Sequence, residues 1–294
     1  MNLSPQARTG LYWQMTRFHL DLSHPCVMGI VNLTPDSFSG DGQNGETSQA
    51  LRHAERLLRE GAGILDVGAE STRPGAAGVP LQEELARLMP FLREALRWQV
   101  PISVDTYKPK VMQAVLDLGV DIVNDIWALR QPGAESVVAA HPRCGVCLMH
   151  MHRDPQTMQT DTMTGDLLPT VLDFLSQRLR ALAAQGVAAD RLVLDPGIGF
   201  GKTVAQNFRL LARQAELLQM ARPVLAGWSR KSSLGAVLAQ QGGVPPPLER
   251  QAASVAAALL AVQQGASIVR VHDVKPTVDA LRVWAAVQAD GRVP

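Results

Sequence analysis

The chain has 294 residues, 46% hydrophobic but only 4% aromatic, with a formal net charge of +1. That length suits one large domain or two small ones, with a core of Leu, Val, Ile and Ala, and the near-neutral charge offers no field for nucleic acid or an anionic membrane, so the expected partner is a small molecule. No apolar run reaches the roughly 18 residues of a membrane span, and the opening MNLSPQARTG lacks a signal-type apolar stretch, so a cytoplasmic protein is expected.

In chain order, residues 1–24 read as a peripheral extension, with a short hairpin around Thr16–Leu22 covering one end of the domain that follows at 25–290. Strand patterns then fall at Val27–Asn32, Ile64–Gly68, Ile102–Asp105, Ile122–Asn124, Val146–His150, Leu192–Asp195, Val224–Gly227 and Ile268–Val271. Helical patterns alternate with them at Thr47–Glu60, Leu81–Arg97, Lys108–Leu118, Ala134–Ala140, Leu167–Gln185, Val204–Leu217, Leu248–Gln264 and Pro276–Ala289. A further short helix is expected at Ser232–Ala239, bridged to the next by Pro245–Pro247. The strands are short, apolar and not alternating, as in a parallel sheet covered on both faces. A glycine repeatedly turns the chain into the next strand, as in Gly61-Ala-Gly-Ile-Leu-Asp66 and Gly265-Ala-Ser-Ile-Val-Arg270. Eight strand–helix repeats without a linker predict a single (β/α)8 barrel.

In such a barrel the site forms where the strands end. Those ends carry Asn32, Asp66 with Glu70, Asp105, Asn124, His150, Asp195, Ser229 with Lys231, and Arg270 with His272. Each alone reads equally as a residue that ends a strand or starts a helix; their coincidence marks a polar cavity. Asp105, Asn124 and Asp195 suit a heterocycle with a row of N–H donors. Arg73, Arg230, Lys231, Arg270 and His272 suit phosphate or carboxylate. Asn32, before Thr34-Pro-Asp36-Ser37, offers an oxygen to a hard cation such as Mg²⁺ beside phosphate oxygens. The set fits positioning and leaving-group stabilisation better than covalent catalysis.

Three motifs are read as structural or non-metal. Cys144-Gly-Val-Cys147 has C-x-x-C spacing, but it lies in a strand that turns the two thiols to opposite faces and lacks a second pair of ligands. His150-Met-His152 could place two imidazoles on one strand face, but a metal-dependent hydrolase needs further histidines on later strands and only His272 is available. Lys231, within Ser229-Arg-Lys-Ser232 at a helix start, fits anion or carbonyl binding better than a Schiff base.

With these residues assembled, the chain resembles the dihydropteroate synthase family over about residues 25–280. The resemblance is carried by Met28-GIVNLTPDSFS, Asp66-VGAESTRPGA, Ser103-VDTYKP, Val123-NDI, Leu148-MHMHRDPQTMQ, Leu194-DPGIGFGK, Gly227-WSRKS and Ile268-VRVHDV, in that order. It implies a transferase of folate biosynthesis, targeted by sulfonamides, that joins (7,8-dihydropterin-6-yl)methyl diphosphate to p-aminobenzoate. It further implies that Asp105, Asn124, Asp195 and Lys231 bind the pterin, and that Asn32, Arg270, Val271 and His272 bind the diphosphate. Asn32 would also hold Mg²⁺. Thr72, Arg73, Pro74, Phe200 and Ser229 would shape the p-aminobenzoate site. Asn32, Lys231, Arg270 and His272 are then the residues closest to the chemistry, in a homodimer joined through its late helices.

The chain departs from the family pattern at Trp228, Tyr107 and His152-Arg-Asp154. It also departs in the first loop, Ser39-GDGQNGE, which leaves Asp36 and Asp41 as alternative cation contacts. A pterin-binding methyltransferase barrel would share the aspartate–asparagine floor but have no use for Arg270, His272 or Thr72-Arg73-Pro74. A non-enzymatic pterin-binding relative would be favoured by loss of Lys231, Asp195 or Arg73, and all three are present; a barrel with unrelated phosphate chemistry would leave the three floor residues without a common task.

Overall fold

The computed structural model describes residues 10–34, 42–71, 78–154, 158, 162–240 and 243–289, and of 42–45 the backbone alone. Strands β1 (Tyr12–Gln14) and β2 (His19–Asp21) form an antiparallel hairpin. The hairpin thus starts earlier than the expected Thr16–Leu22, and residues 15–18 make its turn. The remaining strands are β3 (Cys26–Asn32), β4 (Ile64–Gly68), β5 (Ile102–Asp105), β6 (Ile122–Asp125), β7 (Gly145–Met149), β8 (Leu192–Asp195), β9 (Leu225–Ala226) and β10 (Ile268–Val271). They form one eight-stranded parallel sheet in the order β8-β7-β6-β5-β4-β3-β10-β9. A parallel bridge between Leu194 and Val224 joins its two ends, closing the predicted barrel.

The helices are α1 (Gly42–Arg59), α2 (Leu81–Ala95), α3 (Pro109–Leu118), α4 (Ala134–Ala140), α5 (Leu167–Ala184), α6 (Val204–Ala212), α7 (Ser232–Leu238), α8 (Gln251–Gln263) and α9 (Val274–Gln288). Gly119, at φ +105°, ends α3 in the left-handed conformation that the recurring strand-entry glycines predict. Among the described residues no helix is long and apolar enough to cross a membrane.

Side-chain alternation along the strands builds the cavity. Val27, Val31, Leu65, Val67, Val104, Val269 and Val271 point outward and pack beneath α1, α2, α8 and α9. The opposite parity points inward. Its lowest layer, Met28, Ile64, Ile122, Cys147, Val193, Leu225 and Ile268, is apolar and packs with Trp13, Met15 and Leu22 of the hairpin segment. Trp13 is fully buried, and its indole N–H donates to the Arg191 carbonyl at 2.9 Å. The hairpin therefore seals the end where the strands begin. Two residues further along, the same inward rows carry Asp66, Asn124, Asp195 and Arg270. The barrel is a closed apolar plug below and a polar floor above.

The Cys144 and Cys147 side chains divide as alternation requires. Cys144 packs in the outer layer and Cys147 in the barrel interior, and all three cysteines are free.

Candidate active site

The floor is organised around Asp66, whose side chain is fully buried. Ser103 Oγ donates to Asp66 Oδ1 at 2.6 Å, while Asn124 Nδ2 at 3.2 Å and Arg270 Nε at 2.5 Å donate to Oδ2. Arg270 Nη2 donates to Asp105 Oδ2 at 2.9 Å. One guanidinium thus ties the ends of β4, β5 and β10 together across the barrel. Burial opposes its charge, but Asp66 and Asp105 outweigh that and hold Arg270 firmly protonated. Asp105 is pushed above the usual carboxylate range by burial and by the Asp66 charge, with Arg270 pulling it back.

On the other side of the floor, Asp195 Oδ1 accepts from the Gly197 N–H at 2.6 Å. Burial raises its pKa, and the Lys231 charge and the Gly197 hydrogen bond oppose that rise. Lys231 precedes α7, and its ammonium donates to the Ile198 carbonyl oxygen and lies 4.5 Å from the Phe200 ring centroid. Burial lowers Lys231 to about 8, against the pull of Asp195. Above the floor, Ser229 Oγ lies 2.9 Å from His272 Nδ1 and accepts from the His272 backbone N–H at 3.1 Å. With the imidazole protonated at Nε2, the hydroxyl donates to Nδ1; with Nδ1 protonated, the ring donates to the hydroxyl oxygen. The neighbouring Arg230 is tied to Asp273 by 2.7 and 3.1 Å bonds, so that cation supports the backbone of the β10 end.

Asn32, Gly68 and Asp105 share one register level at the top of β3, β4 and β5. A side chain at Gly68 would touch the Asp105 carboxyl, so glycine leaves the space between Asn32 and Asp105 open. The Asn32 carboxamide is partly exposed and makes no hydrogen bond to another described residue. Val271 has the opposite parity, and its side chain is buried in the outer layer, so any contact it makes with a ligand runs through its main chain. An apolar wall of Ile126, Met149, Met151 and Met158, with partly buried Tyr107, Trp127 and Phe200, completes the open end.

Asn32, Asp105, Asn124, Asp195 and Arg270 lie at the ends of their strands, Ser229, Lys231 and His272 follow β9 and β10, and Phe200, in the turn after β8, lies beside Lys231. Thr72, Arg73 and Pro74, and the alternatives Asp36 and Asp41, lie outside the described residues. Sequence reasoning placed Asp66 in the polar ring without a task, and it is the hub. It also missed a second network, in which the Lys108 ammonium bridges Glu70 and Glu84. Tyr107 Oη donates to Glu70 at 2.8 Å, and Thr106 Oγ1 to Glu84 at 2.7 Å. His150 Nδ1 lies 3.0 Å from the buried Lys202 ammonium.

The family model described as pterin binding enzyme matches residues 28–272. A dihydropteroate synthase of Neisseria meningitidis serogroup B is 47% identical over 280 residues, covering 94% of this chain and 97% of the relative. The crystal structure of Burkholderia cenocepacia dihydropteroate synthase complexed with 7,8-dihydropteroate is 51% identical, with TM-score 0.85 over 96% of this chain and 98% of that one. A Yersinia pestis dihydropteroate synthase with a sulfonamide drug complex is 44% identical, with TM-score 0.88 over 95% and 99% of the two chains.

Proposed function

The chain belongs to the dihydropteroate synthase family, and from that membership and the geometry of the floor we infer how its residues carry out the family's reaction. The enzyme is a transferase of folate biosynthesis that condenses (7,8-dihydropterin-6-yl)methyl diphosphate with p-aminobenzoate to give 7,8-dihydropteroate and diphosphate. The bond from the pterin methylene carbon to the diphosphate oxygen breaks, the arylamine nitrogen forms the new C–N bond, and that nitrogen gives up a proton.

The observation that carries the assignment is the polar inward layer of Asp66, Asp105, Asn124, Asp195, Lys231 and Arg270, set directly on an apolar plug. Asp195 and Asp105 would accept from pterin N–H groups, Asn124 would use the amide capacity that Asp66 leaves free, and Lys231 would donate to ring acceptors. Arg270 and His272 would face the departing diphosphate from the β10 end, with the Val271 main chain between them. Ser229 and Phe200 would border p-aminobenzoate, together with Thr72, Arg73 and Pro74. No side chain need bond covalently to substrate. The residues hold the two reactants in line and stabilise the charge that develops on the leaving group.

The Asn32 carboxamide, which makes no hydrogen bond to another described residue, could hold a magnesium ion together with diphosphate oxygens and water. Such an ion supplies charge neutralisation for the leaving diphosphate. Large exposed apolar side chains gather on the last three helices, including Val237, Leu260, Val283 and Val287. They support a homodimer through α7–α9. Light scattering at micromolar concentration is expected to return twice the 31.7 kDa chain mass, and a single-chain mass would overturn the dimer. The free thiols agree with the cytoplasmic location expected from the sequence.

The Lys231 role has a pH signature. Its charged form is lost as pH rises through about 8. Pterin affinity measured by calorimetry is therefore expected to fall across that range. Affinity constant from pH 7 to pH 10 would remove Lys231 as a charged donor.

A further inference from the structure

Lys202 is 2% exposed, and among the described residues no carboxylate lies within ion-pairing distance of it. Its ammonium donates instead to the carbonyl oxygens of Gly197 at 2.8 Å, Phe200 at 3.1 Å and His150 at 3.4 Å, and approaches His150 Nδ1 at 3.0 Å. Burial lowers its pKa to about 7, with Asp195 the main charge acting to raise it. Burial, with the Lys202 charge next, holds His150 near 2, so its imidazole is neutral and Nδ1 accepts. A buried cation of this kind costs stability unless every donor is satisfied. The acceptors it has found belong to two separate segments: the end of β7 and the turn from β8 to α6.

That turn lies tightly on β7. Gly197 has φ +69°, and a Cβ there would collide with the His150 carbonyl oxygen. Beyond Lys202, Thr203 and Gln206 form a capping box that fixes the start of α6, and Asn207 Oδ1 accepts from the Gly199 N–H at 2.8 Å. Between these ties the turn presents the Ile198 carbonyl and the Phe200 ring to Lys231.

We propose that Lys202 is a positioning residue, whose ammonium clamps the β8–α6 turn onto the end of β7 and so holds Phe200 and the Ile198 carbonyl against Lys231. The consequence for p-aminobenzoate rests on the reading that Phe200 borders that substrate.

Lys202→Met tests it, because methionine fills similar volume without burying a charge. The expected result is an unchanged or raised Tm, faster hydrogen exchange at amides 198–201, and a KM for p-aminobenzoate raised about tenfold or more, with a distinctly smaller rise, about threefold, in the KM for the pterin diphosphate through Lys231. Unchanged exchange in the turn overturns the proposal. So does a lower Tm with both KM values shifted alike, which marks a merely structural lysine. Phe200→Ala separates the two readings. If it leaves the p-aminobenzoate KM unchanged, the Phe200 assignment fails, and exchange at 198–201 alone then decides for or against the clamp. Lys202→Gln, which keeps two N–H donors without the charge, is read in the same way if the methionine variant does not fold.

Discussion

Asp195→Ala is expected to abolish useful pterin binding while the barrel still folds. Asp195 is 7% exposed, and the one hydrogen bond that its carboxyl accepts from a described residue comes from the Gly197 N–H. Burial disfavours its charge, so the folded protein gives up little when the carboxylate goes. The ligand gives up much more, because its N–H donors would be buried without an acceptor and Lys231 would lose the charge that offsets its burial. Truncating one side of a buried charged hydrogen-bond set costs about 2–5 kcal/mol, or roughly 30-fold to several-thousand-fold in affinity. Calorimetric titration of a pterin into the variant, with circular dichroism to confirm the fold, makes the measurement. Affinity equal to that of the unaltered protein would put the pterin floor elsewhere.

Arg270→Ala is the second large effect, and here the structure adds to what the sequence implied. As a diphosphate ligand, Arg270 should matter more for the diphosphate ester than for free pterin. Its bonds to Asp66 and Asp105 mean that free pterin cannot be untouched, since removing the guanidinium leaves two neighbouring carboxylates facing each other. The expected loss is about a hundredfold for the ester and about tenfold or less for free pterin, as for the loss of a charge-assisted bond. Equal losses for the two ligands would mean that Arg270 acts only by holding Asp66 and Asp105.

Much of this was legible because a parallel barrel writes its geometry simply into the chain. A short apolar run ending in a polar residue marks both a strand and its open end, so Asp195, Asn124 and Arg270 could be placed with no contact known. The inward alternation that separates Cys144 from Cys147 was equally readable. The expected α6, Val204–Leu217, instead ends at Ala212 and is followed by a 3₁₀ segment at Gln214–Met220. The apolar spacing continues through both, so periodicity alone cannot show the change. Likewise β9 is only Leu225–Ala226, and Val224 just before it makes the single bridge to Leu194 of β8 that closes the barrel.

The pairings were not legible. The bond between Arg270 and Asp66 spans 204 residues, and nothing local distinguishes the aspartate that organises a floor from one that merely ends a strand. Nothing adjacent to Lys202 in the sequence marks it as buried. Only the packing of the turn on β7 shows that its ammonium is buried and what it holds.

The most direct test of the account is the condensation itself. Purified protein with Mg²⁺, saturating (7,8-dihydropterin-6-yl)methyl diphosphate and p-aminobenzoate is expected to release one diphosphate for each 7,8-dihydropteroate formed, and chelation of Mg²⁺ is expected to slow it. No dihydropteroate with both substrates saturating and Mg²⁺ present would contradict the account.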